Sequence, residues 1–165
     1  MEYENKELCS KCGGRCCKKG GCDYYVSDFK SIDKNTILKV LETGNVSIVS
    51  AFKFEILTNG KKVVVPILYL RARNEGKKVI DLFSMKKRCS MLTSTGCSYN
   101  LEQRPGGGVN LIPNEKGCKP LNNPLDELKK WYPYQNLLAK IVKRYTGKTV
   151  DMVLKSDIEK YFTKF

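Results

Sequence analysis

The sequence predicts an α+β protein: a small antiparallel β-meander packed with helices, flanked by a cysteine-rich N-terminal segment and a long irregular loop. Three observations lead there. Two runs rich in Val, Ile, Phe and Tyr, Val46 to Leu57 and Lys62 to Arg73, are joined by Thr58-Asn59-Gly60, and Asn-Gly between β-prone runs is a strong hairpin signal. The last third of the chain has apolar residues at helical spacing. All eight cysteines fall outside these periodic stretches.

In chain order, residues 1–26 form a Cys/Gly/Lys segment with no hydrophobic period. So little apolar surface predicts a segment cross-linked to, or draped on, the rest. Residues 28–44 predict a helix, capped by Asp33, apolar at Ile37, Leu38 and Leu41 and stopped at Gly44. The meander is expected over 46–83, with a second turn at Asn74-Glu75-Gly76 leading into a third antiparallel strand, Val79 to Phe83. Residues 84–122 read as a long loop tied down by Cys89, Cys97 and Cys118. Helices are expected over 124–163. The first is restarted at Pro133 and ended by Gly147, and the second places Met152, Val153, Ile158, Tyr161 and Phe162 on its apolar face. Residues 1–165 are expected to form one domain.

The polar, acidic start lacks the basic and apolar regions of a secretory signal, and no apolar run is long enough for a membrane span. The expectation is a cytoplasmic protein with no membrane partner. In a reducing compartment eight cysteines need a role other than disulfides. Five lie within residues 9–22, a clustering that suits a metal better than a framework of bridges.

The run is Cys9-x2-Cys12-x3-Cys16-Cys17-x4-Cys22. A CxxC pair lets two thiolates reach one metal from a single turn. The adjacent Cys16 and Cys17 have a short bite, which predicts service to two metals or two irons of one cluster. Cys89, Cys97 and Cys118 are placed to complete the set. With no histidine in the chain, mixed Cys/His zinc sites, Rieske clusters and histidine acid–base catalysis are excluded. All-thiolate ligation points to zinc or an iron–sulfur cluster as cofactor.

The formal net charge is +13. Two four-cysteine zinc sites would each add about −2, lowering this to about +9. The remaining excess, with Lys18-Lys19, Lys61-Lys62, Lys77-Lys78 and Lys86-Lys87-Arg88, predicts an anionic partner such as nucleic acid or an acidic protein. A basic RNA-binding module with a structural metal is therefore one alternative function.

Cys9-x2-Cys12-Gly13-Gly14-Arg15-Cys16-Cys17, followed by Cys89-Ser90-Met91-Leu92, Gly96-Cys97-Ser98-Tyr99 and Arg104-Pro105, resembles the YkgJ-like cysteine-cluster family. The resemblance covers about residues 9–22 and 88–113 and implies a zinc- or iron-chelating protein. A second alternative, suggested by more cysteines than one site needs and by the Gly-rich loop at 105–108, is a cluster-dependent redox or group-transfer (methyltransferase-like) enzyme. The family pattern has a cysteine three residues after the Arg-Pro proline, where this chain has Gly108, and Cys118 is the candidate replacement. Tyr99 and Arg104 also match the pattern. Loop packing is expected of Tyr99, and a hydrogen bond to a thiolate or backbone carbonyl of Arg104.

Overall fold

The computed structural model describes residues 6–18, 22–84, 88–94 and 96–164. The helices are α1 (Lys6–Cys12), α2 (Arg15–Lys18), α3 (Lys34–Glu42), α4 (Gly106–Val109), α5 (Pro124–Lys129), α6 (Gln135–Thr146) and α7 (Val150–Phe162). The strands are β1 (Val46–Ile56), β2 (Lys62–Ala72), β3 (Leu92–Thr93), β4 (Gly96–Cys97), β5 (Leu111–Ile112) and β6 (Lys119–Pro120), all in antiparallel pairs. The α+β class is as expected. No helix among the described residues is long and apolar enough to cross a membrane.

The hairpin β1–β2 is the spine. Gly60 takes a left-handed φ of +77° at its turn, and the register runs from Ile56 opposite Lys62 to Val46 opposite Ala72. At the Val46 end both faces are covered: Val46, Ile48, Val49, Leu68, Tyr69 and Leu70 are buried. Against them pack Ile37 of α3, Leu138, Ile141 and Val142 of α6, and Val153 and Leu154 of α7. At the turn end the ribbon leaves the core, and Phe54 and Ile56 are exposed.

The outer edge of β2 is covered at every second residue, because outward-facing N–H and C=O groups need partners. Ala72 N donates to Cys22 O, and Leu70 O accepts from Tyr24 N. Leu68 N donates to Oε1 of Gln135, whose Nε2 donates back to Leu68 O, both at 2.8 Å. Pro66, next in the series, has no N–H to satisfy. Gln135 thus acts as one residue of a missing strand. Gln135→Ala is expected to cost about 1–2 kcal/mol, because two backbone groups of buried Leu68 lose their partner. Urea denaturation checks this, and an unchanged midpoint at unchanged m would refute it.

Four expectations are corrected. Val79 to Phe83 is not a third antiparallel strand. It makes one parallel bridge, Ile48 to Ile80, through Ile48 N to Val79 O and Asp81 N to Ile48 O. β2 ends beside the start of β1, so a chain that crosses to the outer edge of β1 can only run parallel to it. The helix expected over 28–44 begins at Lys34, where Asp33 accepts from Thr36 N, and Val26–Asp28 is a 3-10 turn. The stretch 84–122 is not one irregular loop. Pairs β3–β4 and β5–β6, the turn Leu101–Gln103 and α4 divide it. On α7, Met152 and Phe162 are exposed while Val153 and Leu154 are buried. Its inward stripe is Val150, Val153, Leu154, Asp157, Ile158 and Tyr161, a 3.6-residue period that includes a carboxylate. Lys19, Lys86 and Lys87 of the basic runs lie outside the described residues.

Candidate metal centre

The cysteine-rich segment is not without structure: α1 carries Cys9 and Cys12, and α2 carries Cys16 and Cys17. Cys22 follows at the β2 edge, where the antiparallel bridge of Asp23 with Arg71 seats the chain. Arg71 Nε donates to Asp23 Oδ1 at 2.7 Å, and its Nη2 to the Tyr69 hydroxyl at 2.7 Å. Cys89 lies just beyond the same, C-terminal end of β2, bridged to Asn74, and its N–H donates to Cys17 O at 2.6 Å. Cys97 is in β4, and Cys118 immediately precedes β6.

The eight cysteines fall into two groups. In the inner group the Cys17 thiol accepts from that of Cys16 and interacts electrostatically with those of Cys22 and Cys89. Cys17 and Cys89 are buried and pack with Ala72 and Leu92. The sulfurs of Cys16 and Cys17 are 3.9 Å apart. Two sulfurs about 2.3 Å from a tetrahedral zinc are about 3.8 Å apart, so adjacency does not force this pair onto different metals. Cys97 stands at the margin, within the electrostatic reach of Cys22 and Cys89. In the outer group Cys9, Cys12 and Cys118, with Cys16, line a cavity of about 160 Å³.

The charge distribution is uneven. The hydrogen bond with Cys17 brings Cys16 down to about 6, with Arg104 adding to the effect. The same partner brings Cys89 down to about 7. Cys17 itself moves up, through its interactions with the Cys16, Cys22 and Cys89 thiols and through burial. Burial also raises Cys97 and Cys118, and Cys118 feels Cys16, Cys9 and Cys12 as well. Within the inner group Cys16 and Cys89 are thus the thiols drawn toward the thiolate, the form that binds metal. Among the described residues no three Cys, Asp or Glu side chains already stand at ion-binding spacing.

The three glycines that follow Pro105 form α4, and each faces the cysteine segment. A Cβ on Gly106 would lie 2.4 Å from the Tyr25 ring, one on Gly107 2.7 Å from Asp23 O, and one on Gly108 2.9 Å from Cys22 Sγ. Cys22, not Cys118, therefore occupies the space into which a side chain at 108 would project. The sequence reading missed this use of the run, whose one signal was three small residues together after a proline. Arg104 Nε donates to Tyr99 O at 3.4 Å, and the Tyr99 and Tyr24 hydroxyls are 3.4 Å apart.

No family model, curated protein or solved structure matches this chain.

Proposed function

We propose that this protein binds zinc through cysteine thiolates, with Cys16, Cys17, Cys22 and Cys89 as the ligands. The observation that carries the reading is one buried thiol, Cys17, whose sulfur is 3.9 Å from that of Cys16, which packs with Cys89 and which lies within electrostatic reach of Cys22. A buried cluster of free thiols with nothing to bind leaves polarisable, oxidisable groups in the core; a bound ion converts them into a cross-link. Such an ion holds the N-terminal segment to the end of β2 and contributes directly to folding. Arg104 offsets part of the negative charge of four thiolates.

An iron–sulfur cluster supporting redox or group-transfer chemistry is the second reading. It is favoured by a cavity of about 270 Å³ with Cys16, Cys22, Arg71, Glu127 and Trp131 in its wall. That space lies beside the thiols, where a substrate would have to stand.

One experiment decides between them: metal content and visible spectrum after anaerobic purification of the wild type, Cys89→Ser and Cys118→Ser. A colourless protein with stoichiometric zinc, lost in Cys89→Ser and kept in Cys118→Ser, is the expected result. A brown, iron-containing wild type moves the enzyme reading to first place. Wild type without stoichiometric metal, or a Cys89→Ser variant that keeps its zinc, refutes the inner site.

A further inference from the structure

Away from the cysteines, a groove of about 380 Å³ lies between α7 and residues 76–83. That volume is within the usual range for small-molecule sites. Lys77 and Lys78 stand on one side, and Lys160 and Lys164 on the α7 side.

Asp81 lines the same groove and is only 7% exposed, and its Oδ2 has no hydrogen-bond partner. The backbone leaves it little freedom, because Asp81 N is committed to Ile48 O at the parallel bridge. A buried carboxylate oxygen without a donor costs about 1–3 kcal/mol or more, so a site that retains one is short of a donor. Asp157 is the second carboxylate and occupies a position that the period of α7 assigns to the core. Burial and the charge of Asp81 push its pKa up, while Lys160, Lys78 and Lys77 pull it back. The third feature is aromatic: Phe83 and Tyr161 meet edge to face with centroids 5.5 Å apart, and both line the groove.

A ligand that suits all three features brings negative charge for four ammonium groups, a hydroxyl donor for Asp81 and a planar ring for the aromatic wall. We propose that this groove binds a nucleoside phosphate, its phosphates on Lys77, Lys78, Lys160 and Lys164, its ribose hydroxyls on Asp81 and its base against Phe83 and Tyr161. Lysine serves as a point-charge phosphate ligand, carboxylates accept from ribose hydroxyls, and aromatic side chains stack bases with little sequence preference. Inorganic polyphosphate has the charge but lacks the donor and the ring. The groove shares no lining residue with the cysteine cavities, so this proposal stands apart from the metal reading.

The test is calorimetric titration of the full chain with ADP, 2′,3′-dideoxy-ADP and tripolyphosphate, with zinc and iron content measured in the same samples. ADP is expected to bind, and dideoxy-ADP about tenfold more weakly, as befits a lost hydrogen bond to a charged group. Asp81→Asn should abolish that difference. Lys160→Glu, at an exposed position of α7, should weaken ADP and tripolyphosphate alike and leave metal content unchanged. If Asp81→Asn fails to fold, the dideoxy comparison on wild type and Lys160→Glu still decide. No ADP binding at millimolar concentration, equal affinity for ADP and dideoxy-ADP, or tripolyphosphate binding as tightly as ADP would each overturn the proposal. The last two outcomes would leave only a basic patch.

Discussion

Trp131→Ala is expected to lower the free energy of unfolding by about 3–5 kcal/mol, the usual cost of removing a large buried aromatic. Trp131 is the one tryptophan in the chain and has no exposed surface. Its ring meets Phe29 and Tyr134 edge to face, at centroid distances of 6.0 and 6.2 Å. Its indole N–H donates to Tyr24 O at 3.1 Å. Tyr24 N is in turn bonded to Leu70 O of β2, so Trp131 supports the segment that carries Cys22 as well as the helical layer. Truncation leaves a cavity and an unpaired carbonyl, two costs that add. Circular dichroism during urea denaturation is the measurement, since the variant has no tryptophan fluorescence. A loss below about 1 kcal/mol, in the range of ordinary substitutions, would show that Trp131 is not the support described.

Gly107→Ala is the second large effect, expected at about 2–3 kcal/mol, the upper range for overpacking. The new Cβ would meet backbone on two sides, Asp23 O at 2.7 Å and Asp23 N at 2.9 Å. A flexible side chain could swing away from such a contact, but backbone held on the β2 edge cannot. The hydrogen bond from Gly107 N to Asp23 O, 2.9 Å long, would lengthen or break. Cys22 adjoins this contact, so its alkylation rate should rise in the variant while that of Cys9, already exposed, stays the same. Wild-type stability together with an unchanged Cys22 rate would mean that α4 and the cysteine segment are not pressed together.

Much of the fold was legible because it depends on neighbours in sequence. Asp33 caps α3 through the N–H three residues on, and Thr149 caps α7 in the same way. Gly147 ends α6 at a left-handed φ of +69°, and Asn59-Gly60 turns the hairpin. Each of these outcomes requires only a few consecutive residues, and no distant chain can easily reverse them. The clustering of cysteines was legible in the same sense. The apolar face of α7 was read less well, because both Val153 and Met152 satisfy a hydrophobic count and only contact with α6 selects between them.

The sequence by itself determined where the cysteines cluster, how α3 and α7 are capped and α6 is ended, and that the β1–β2 hairpin forms. Tertiary structure decided the direction of Val79 to Phe83, the inward position of Asp157, and the division of the cysteines into inner and outer groups. It also decided that Cys22 rather than Cys118 stands at Gly108. The reason is the same in each case. Cys17 and Cys89 are joined by Cys89 N to Cys17 O, and that bond depends on the path of everything between them. Local propensity acts over a few residues, whereas a pairing across the fold is set by which edges and faces remain to be covered once the hairpin and helices have formed.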